Sequence, residues 1–306
     1  MRRKILVSVS FIVLHVFASA ALVSAQPNMP NGVLWESVGI ASRDLYAGPA
    51  GSDLPDLKGS ALLGRQPGGN NLKFRIREKN GDEWVAKIAD ESQPEVAAVR
   101  LLWGIGYKTE IDCLLPRLNL GRAGSFQNAR LEARPKNINR SARWSWSQNP
   151  FIGTKELDGL KIMMALFNNW DLKDENNAIL VSKDGNQFIV SDVGSSFGKL
   201  ARTSDSRAGR SVNDPEGYAQ SAFIKGTHDG KIDFAYVAGA DHLLKGIKVE
   251  SGRWLADLLL QLSDQQIHDA FRAANYKPDQ ISIFAKALKA RIAALDAATR
   301  TTVALR

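Results

Sequence analysis

Residues 72–104 change their hydrophobic period once, and that change constrains the fold more than any other feature of the chain. Leu72-Lys-Phe-Arg-Ile-Arg-Glu78 alternates apolar and polar side chains, Asn80-Gly81-Asp82 offers a tight turn, and Trp84-Val-Ala-Lys-Ile88 returns as a second strand. The period then lengthens. Ser92 or Gln93 can cap a helix with Pro94 in its first turn, apolar residues at 96, 99, 102 and 103 mark its inner face, and Gly104 and Gly106 stop it. Ile111 to Leu120 and Ala129 to Ala133 read as further short strands, so a sheet with one helix comes first.

The second half reads differently. The Arg/Asn/Ser-rich stretch 134–149 is expected to be a long loop insertion. Apolar positions 157, 160, 163, 164 and 167 predict a helix that stops at Asn168-Asn169-Trp170-Asp171. Ala178 to Val181, the Lys183-Asp184-Gly185-Asn186 turn and Gln187 to Ser191 form a second hairpin. Residues 194–231 are mostly polar and are expected to be a long loop, and from about 251 the chain reads as helices. Strands with one helix followed by helices give an α+β protein of two lobes, with the site in the cleft between them.

Composition removes several function classes. The 306 residues contain one cysteine, Cys113, which excludes a disulfide framework and a Cys-rich zinc module. The isolated histidines show no metal-ligating pair, so a zinc enzyme is not expected. Basic side chains outnumber acidic ones 40 to 32 for a net charge of +8. That excess tolerates an anionic ligand without indicating a nucleic-acid binder. Three of the basic residues, Arg2, Arg3 and Lys4, open a segment that runs through the apolar stretch Ile5 to Val23 to Val23-Ser24-Ala25. This pattern is that of a Sec-type signal peptide cut after Ala25, which makes the mature protein periplasmic or secreted. The alternative is an uncleaved anchor, since Ile5 to Val23 is just long enough to span a bilayer, and only then would the protein contact a membrane.

Four features occur in one order: Lys87 on a strand, Glu95 on the next helix, Asp171-Leu-Lys-Asp-Glu-Asn176 between a helix and a hairpin, and Asp192-Val-Gly194 ending that hairpin. On these residues the chain resembles the protein-kinase-like superfamily, whose catalytic loop reads H-R-D-L-K-x-x-N, whose metal motif is D-F-G and whose strand lysine lies in V-A-I-K. Asp171, Leu172, Lys173 and Asn176 match the loop, Asp192 and Gly194 the metal motif, and Lys87 and Glu95 the ion pair. Asn169-Trp170 replaces the family's H-R, and an N-x-D followed by Asn five residues on looks more like the atypical bacterial, HipA-like branch than the eukaryotic enzymes. The glycine-rich stretch Gly64-Arg-Gln-Pro-Gly68-Gly69 departs from G-x-G-x-x-G.

The chain thus divides into the signal peptide at 1–25, an extended leading segment at 26–58 read from its Pro, Gly, Asp and Ser content, and the region of the resemblance. There a small N-terminal sheet lobe with one helix spans 59–135, and a larger, mainly helical C-terminal lobe spans 136–306. The resemblance implies ATP with Mg²⁺ or Mn²⁺, and an acceptor hydroxyl on a protein, lipid or small molecule. Phosphoryl transfer needs positioning and charge neutralisation. Asn176 and Asp192 supply hard oxygen ligands for the metal. Lys87, paired with Glu95, holds the α/β-phosphates, with Gly68 and Gly69 near them, while Asp171 accepts the hydroxyl proton and Lys173 sits by the transferred group. A catalytically silent pseudokinase, binding a nucleotide or a partner, is the alternative.

Other motifs compete for attention. Gly194-Ser-Ser-Phe-Gly198 satisfies the nucleophile-elbow pattern of α/β-hydrolases, with Ser196 as nucleophile and His228, His242 or His268 as base, but no helical stripe follows it. Residues 195–225 place several Ser and Thr among Arg202, Arg207 and Arg210 where the resemblance puts an activation segment; a mobile Ser/Arg loop is the simpler reading. Arg122, Arg130, Arg134, Lys136, Arg140 and Arg143, interleaved with Trp144 and Trp146, could hold an anionic acceptor. A solvated insertion is the simpler reading of this run too.

Overall fold

A five-stranded antiparallel sheet forms the first half of the chain. The computed structural model describes residues 31–51, 54–68, 71–201 and 208–303. The expected signal peptide, Gly69, Arg202, Thr203, Ser204, Ser206 and Arg207 lie outside the described residues. Strands β1 (Ala61–Arg65), β2 (Leu72–Arg77), β3 (Glu83–Ile88), β4 (Asp112–Asn119) and β5 (Ser125–Arg134) are ordered β1-β2-β3-β5-β4. The expected hairpin is β2–β3, with Ile76 opposite Trp84 and Lys73 opposite Lys87. Period-two alternation sends Phe74, Ile76, Trp84 and Ala86 into a small core with Leu131 and Cys113.

Helix α1 (Ser92–Gly104) packs against β4 and β5 on one side and a C-terminal helix on the other, which is why Val96, Ala97, Ala98, Leu101 and Leu102 are all buried. Its N-cap is Glu91 rather than Ser92 or Gln93, and the Glu91 side chain makes no capping bond. The Ser92 hydroxyl is engaged instead with the backbone of β3, donating to the Lys87 carbonyl.

The C-terminal half is mainly helical. Thr154 caps α2 (Lys155–Leu166), which ends as Asn168 takes the left-handed conformation at φ 57°. A three-stranded sheet of order β6 (Asn139–Ala142), β7 (Asn177–Ser182) and β8 (Gly185–Val190) follows it in space. Next come α3 (Pro215–Gln220), the two-stranded pair β9 (Ile224–His228) and β10 (Lys231–Phe234), and helices α4 (Val249–Leu259), α5 (Asp264–Ala273) and α6 (Pro278–Val303). A Ser263/Gln266 capping box starts α5, the helix that packs on α1. Among the described residues no helix is long and apolar enough to cross a membrane.

Three stretches are more ordered than the sequence suggests. Residues 134–149 contribute β6 and two tryptophans, Trp144 and Trp146, each 2% exposed, so this is no solvated insertion. Residues 194–231 contain α3 and β9, whose six and five residues are too short to print a hydrophobic period. Between 31 and 51 the chain packs Leu34, Ile40 and Leu45 into the main core, and Val33 exchanges backbone hydrogen bonds with β8, giving to Asn186 and receiving from Phe188.

Candidate active site

Strand β3 is buried on both faces around Lys87, and a lysine there must meet opposite charge. It meets three carboxylates. Lys87 Nζ lies 3.0 Å from Glu95 Oε2, 3.1 Å from Asp192 Oδ1 and 2.9 Å from Glu91 Oε2. Arg130 stands directly across the ladder from Lys87, and its Nη1 reaches the other Glu95 oxygen at 2.7 Å. Glu95 is thus held by two cations at the head of α1.

The charges reinforce one another. Burial pushes the Lys87 ammonium down, yet Glu95, Asp192 and Glu91 outweigh it and hold it above its ordinary value. Burial likewise pushes the Asp192 carboxyl up, and Lys87 and Arg130 overcome this to hold it below the usual carboxylate range. At Glu95 burial outweighs the pull of Arg130 and Lys87 and pushes the carboxyl up to about 8, so removing either cation drives it further towards its neutral form.

The second cluster sits on the connection from α2 to β7. Asp171 N–H donates to Asn169 Oδ1 at 2.9 Å, and Asn176 Nδ2 donates to the Asp171 carbonyl at 2.6 Å and to its carboxylate at 3.1 Å. Lys173 Nζ lies 2.6 Å from Asp171 Oδ1. The Tyr236 hydroxyl donates to the Asn169 carbonyl, and Arg291 Nη1 donates to Asn168 Oδ1 at 2.9 Å, so the loop is fixed from the core side. Backbone bonds join the two clusters: Ser191 N–H and Asp192 N–H both donate to the Asn176 carbonyl, at 2.7 and 3.4 Å.

Lys87, Glu95 and Asp192 therefore share one cluster, Asp171, Lys173 and Asn176 a second, and the Asn176 carbonyl connects them. Gly68 is exposed at φ 94°, and a Cβ added to it would meet no atom within 4 Å. Among the described residues no group of three His, Cys, Asp or Glu is arranged to hold a metal. A kinase-type Mg²⁺ asks for less, one or two protein oxygens with substrate phosphates and water completing its shell. The partly exposed Asp192 carboxylate and the Asn176 amide oxygen fit that demand.

Two residues of this site were not singled out as such from the sequence. Glu91 looks like an ordinary acidic residue before a helix. Arg130 falls in the arginine run, but its alternation with Ala129 and Leu131 carries the signal: a charge on the sheet face that α1 covers has to be paired. Arg140 is likewise drawn inward, onto Glu110 and Glu132, so Arg130, Arg134 and Arg140 of this run are engaged by internal carboxylates.

The remaining motifs resolve simply. Ser196 is fully buried and its hydroxyl donates to the Val193 carbonyl at 2.7 Å, and the described residues that follow it, 197–201, are not helical, which counts against the nucleophile-elbow reading. His228 is exposed beside Asp229. The described parts of the Ser/Arg segment are anchored: Ser195 Oγ donates to Glu91 at 3.0 Å, Ser211 Oγ to Asp214 at 2.6 Å, and the Arg210 guanidinium stacks 5.0 Å above the Trp170 ring.

No protein-family model matches the chain. No curated protein matches it either. Among solved structures, the Helicobacter pylori proinflammatory kinase CtkA is similar in fold, with a TM-score of 0.51 at 13% identity, covering 79% of this chain and 96% of its own. The kinase domain of maize sucrose-induced receptor kinase 1 bound to AMP-PNP aligns over 85% of this chain and 99% of its own, but at 13% identity and a TM-score of 0.25 it carries no argument. The chain thus has a kinase-like α+β fold, a sheet lobe followed by a helical lobe.

Proposed function

We propose that this chain is an ATP- and Mg²⁺-dependent phosphotransferase, of the atypical HipA-like kind, acting on a hydroxyl acceptor. The observation that carries the reading is the connected pair of clusters: Lys87 touches both Glu95 and Asp192, and Asn176 ties Asp192 to Asp171. The kinase-like fold supports it. In this reading Lys87 neutralises the nucleotide's phosphates, and Glu95 with Arg130 sets the lysine's position. Asp192 and Asn176 hold the metal, which when bound neutralises charge on the phosphate oxygens.

Asp171 accepts the proton as the acceptor oxygen bonds to the γ-phosphorus; the bond from that phosphorus to the bridging oxygen breaks and ADP leaves with the electron pair. Lys173, already on the Asp171 carboxylate, stands where it can offset charge on the moving phosphoryl group. The leader pattern of residues 1–25 supports a periplasmic or secreted location, which cell fractionation of the full chain tests.

Radiolabelled transfer from γ-labelled ATP, to the protein itself or to a cell extract, tests the chemistry. Transfer lost in Asp171→Ala while the variant still binds Mg·ATP supports the proposal. Binding without any transfer by the wild-type chain leaves a nucleotide-binding pseudokinase in its place.

A further inference from the structure

Three carboxylates crowd the Lys87 ammonium at 2.9, 3.0 and 3.1 Å: its N–H groups donate to Glu95 and Asp192, and Glu91 faces it as an ion pair. A phosphate oxygen that comes to Lys87 therefore requires one of them to yield. Glu95 is fixed, being 1% exposed with its second oxygen held by Arg130 at 2.7 Å. Asp192 stays near by, as the proposed metal ligand.

Glu91 is placed differently. Its side chain is 22% exposed, and as the N-cap of α1 it makes no bond to the helix it begins. The carboxylate instead reaches outward: Oε2 accepts from Asn71 Nδ2 at 2.7 Å, just before β2, and Oε1 accepts from Ser195 Oγ at 3.0 Å, three residues after Asp192. The chain after Asp192 comes this close because position 194 is glycine; a Cβ there would lie 2.7 Å from Glu91 Cβ and 2.9 Å from its carbonyl oxygen.

We propose that Glu91 is a displaceable positioning residue: its carboxylate fills the place beside the Lys87 ammonium that a nucleotide phosphate takes, and through Asn71 and Ser195 it ties the start of β2 and the segment after Asp192 to the head of α1. The inference rests on reading the cleft as a nucleotide site. Phosphate arrival moves Glu91 off Lys87 and loosens both ties, so nucleotide uptake is coupled to the freedom of the start of β2. Lys87 keeps Glu95 throughout.

Hydrogen exchange at residues 71–77, with Mg·ATP titration calorimetry, tests this on the mature chain, Glu91→Gln and Asn71→Ala. Glu91→Gln is expected to speed exchange at the start of β2 and to tighten Mg·ATP, each by about fivefold, the size of a half-exposed ion pair. Asn71→Ala is expected to speed exchange alone. Unchanged exchange in both variants, or nucleotide affinity that is equal or weaker in Glu91→Gln, overturns the proposal. If the wild-type chain takes up no nucleotide, the kinase reading fails, and exchange still decides whether Glu91 is a tether.

Discussion

The two halves of the cleft hold their charges in opposite ways. Around Lys87, which is 1% exposed, every cation meets a carboxylate: Glu95 lies between Lys87 and Arg130, Arg130 reaches on to Glu132, and Glu132 is shared with Arg134 and Arg140. Around Asp171 the backbone is pinned by Asn169, Asn176 and Tyr236, but Lys173 is 59% exposed. Geometry in the first half is enforced by the cost of stranding a buried charge, several kcal/mol for each ion. In the second it is enforced by hydrogen bonds to the loop, and the ion pair itself contributes about 0–1 kcal/mol.

The largest effect that can break this contrast is on stability. Glu95→Ala removes the carboxylate that Lys87 and Arg130 share, leaving Lys87 on Asp192 and Glu91 and Arg130 on Glu132, and urea unfolding is expected to show a loss of about 2–3 kcal/mol. Asp171→Asn is expected to leave stability within about 1 kcal/mol while lowering transfer by about 10²–10⁴-fold, read from initial rates. If Glu95→Ala folds as well as wild type, the buried half does not owe its geometry to paired charge.

Acid sharpens the comparison further. The Asp192 carboxyl is held below its ordinary value, so the folded state binds its proton less readily than the unfolded chain. Its contribution is therefore fully present above the ordinary carboxylate value, about 4, and is lost as pH falls through the lower folded value. The stability gap between wild type and Asp192→Asn should be flat from pH 5 to 8 and close in stronger acid, as followed by denaturant midpoints. The smallest expected change is Lys173→Ala, below about 0.5 kcal/mol in the same assay, since its ion pair faces solvent.

Local features of both halves were legible in the sequence. The β2–β3 hairpin, the helix carrying Glu95, the Asp171-to-Asn176 loop and the β7–β8 hairpin each announce themselves within a window of about ten residues, through period, turn chemistry or motif spacing. What escaped was non-local. Glu91 has its meaning from Asn71 and Ser195, 20 and 104 residues away. Arg140 looks like a loop charge until Glu110, 30 residues earlier, is seen to receive it. The order in residues 208–231 comes from buried anchors such as Tyr218, whose hydroxyl donates to the Leu166 carbonyl at 2.8 Å, and a single aromatic in a polar stretch carries no period.

Titration of Mg·ATP into the mature chain, its Asp192→Ala variant and its Asp171→Ala variant tests most directly whether the two halves form one site. The account predicts saturable binding by wild type and Asp171→Ala, and none by Asp192→Ala or when Mg²⁺ is withheld. Folded wild-type protein that binds no nucleotide at millimolar concentration, or an Asp192→Ala variant that binds as wild type does, would contradict it.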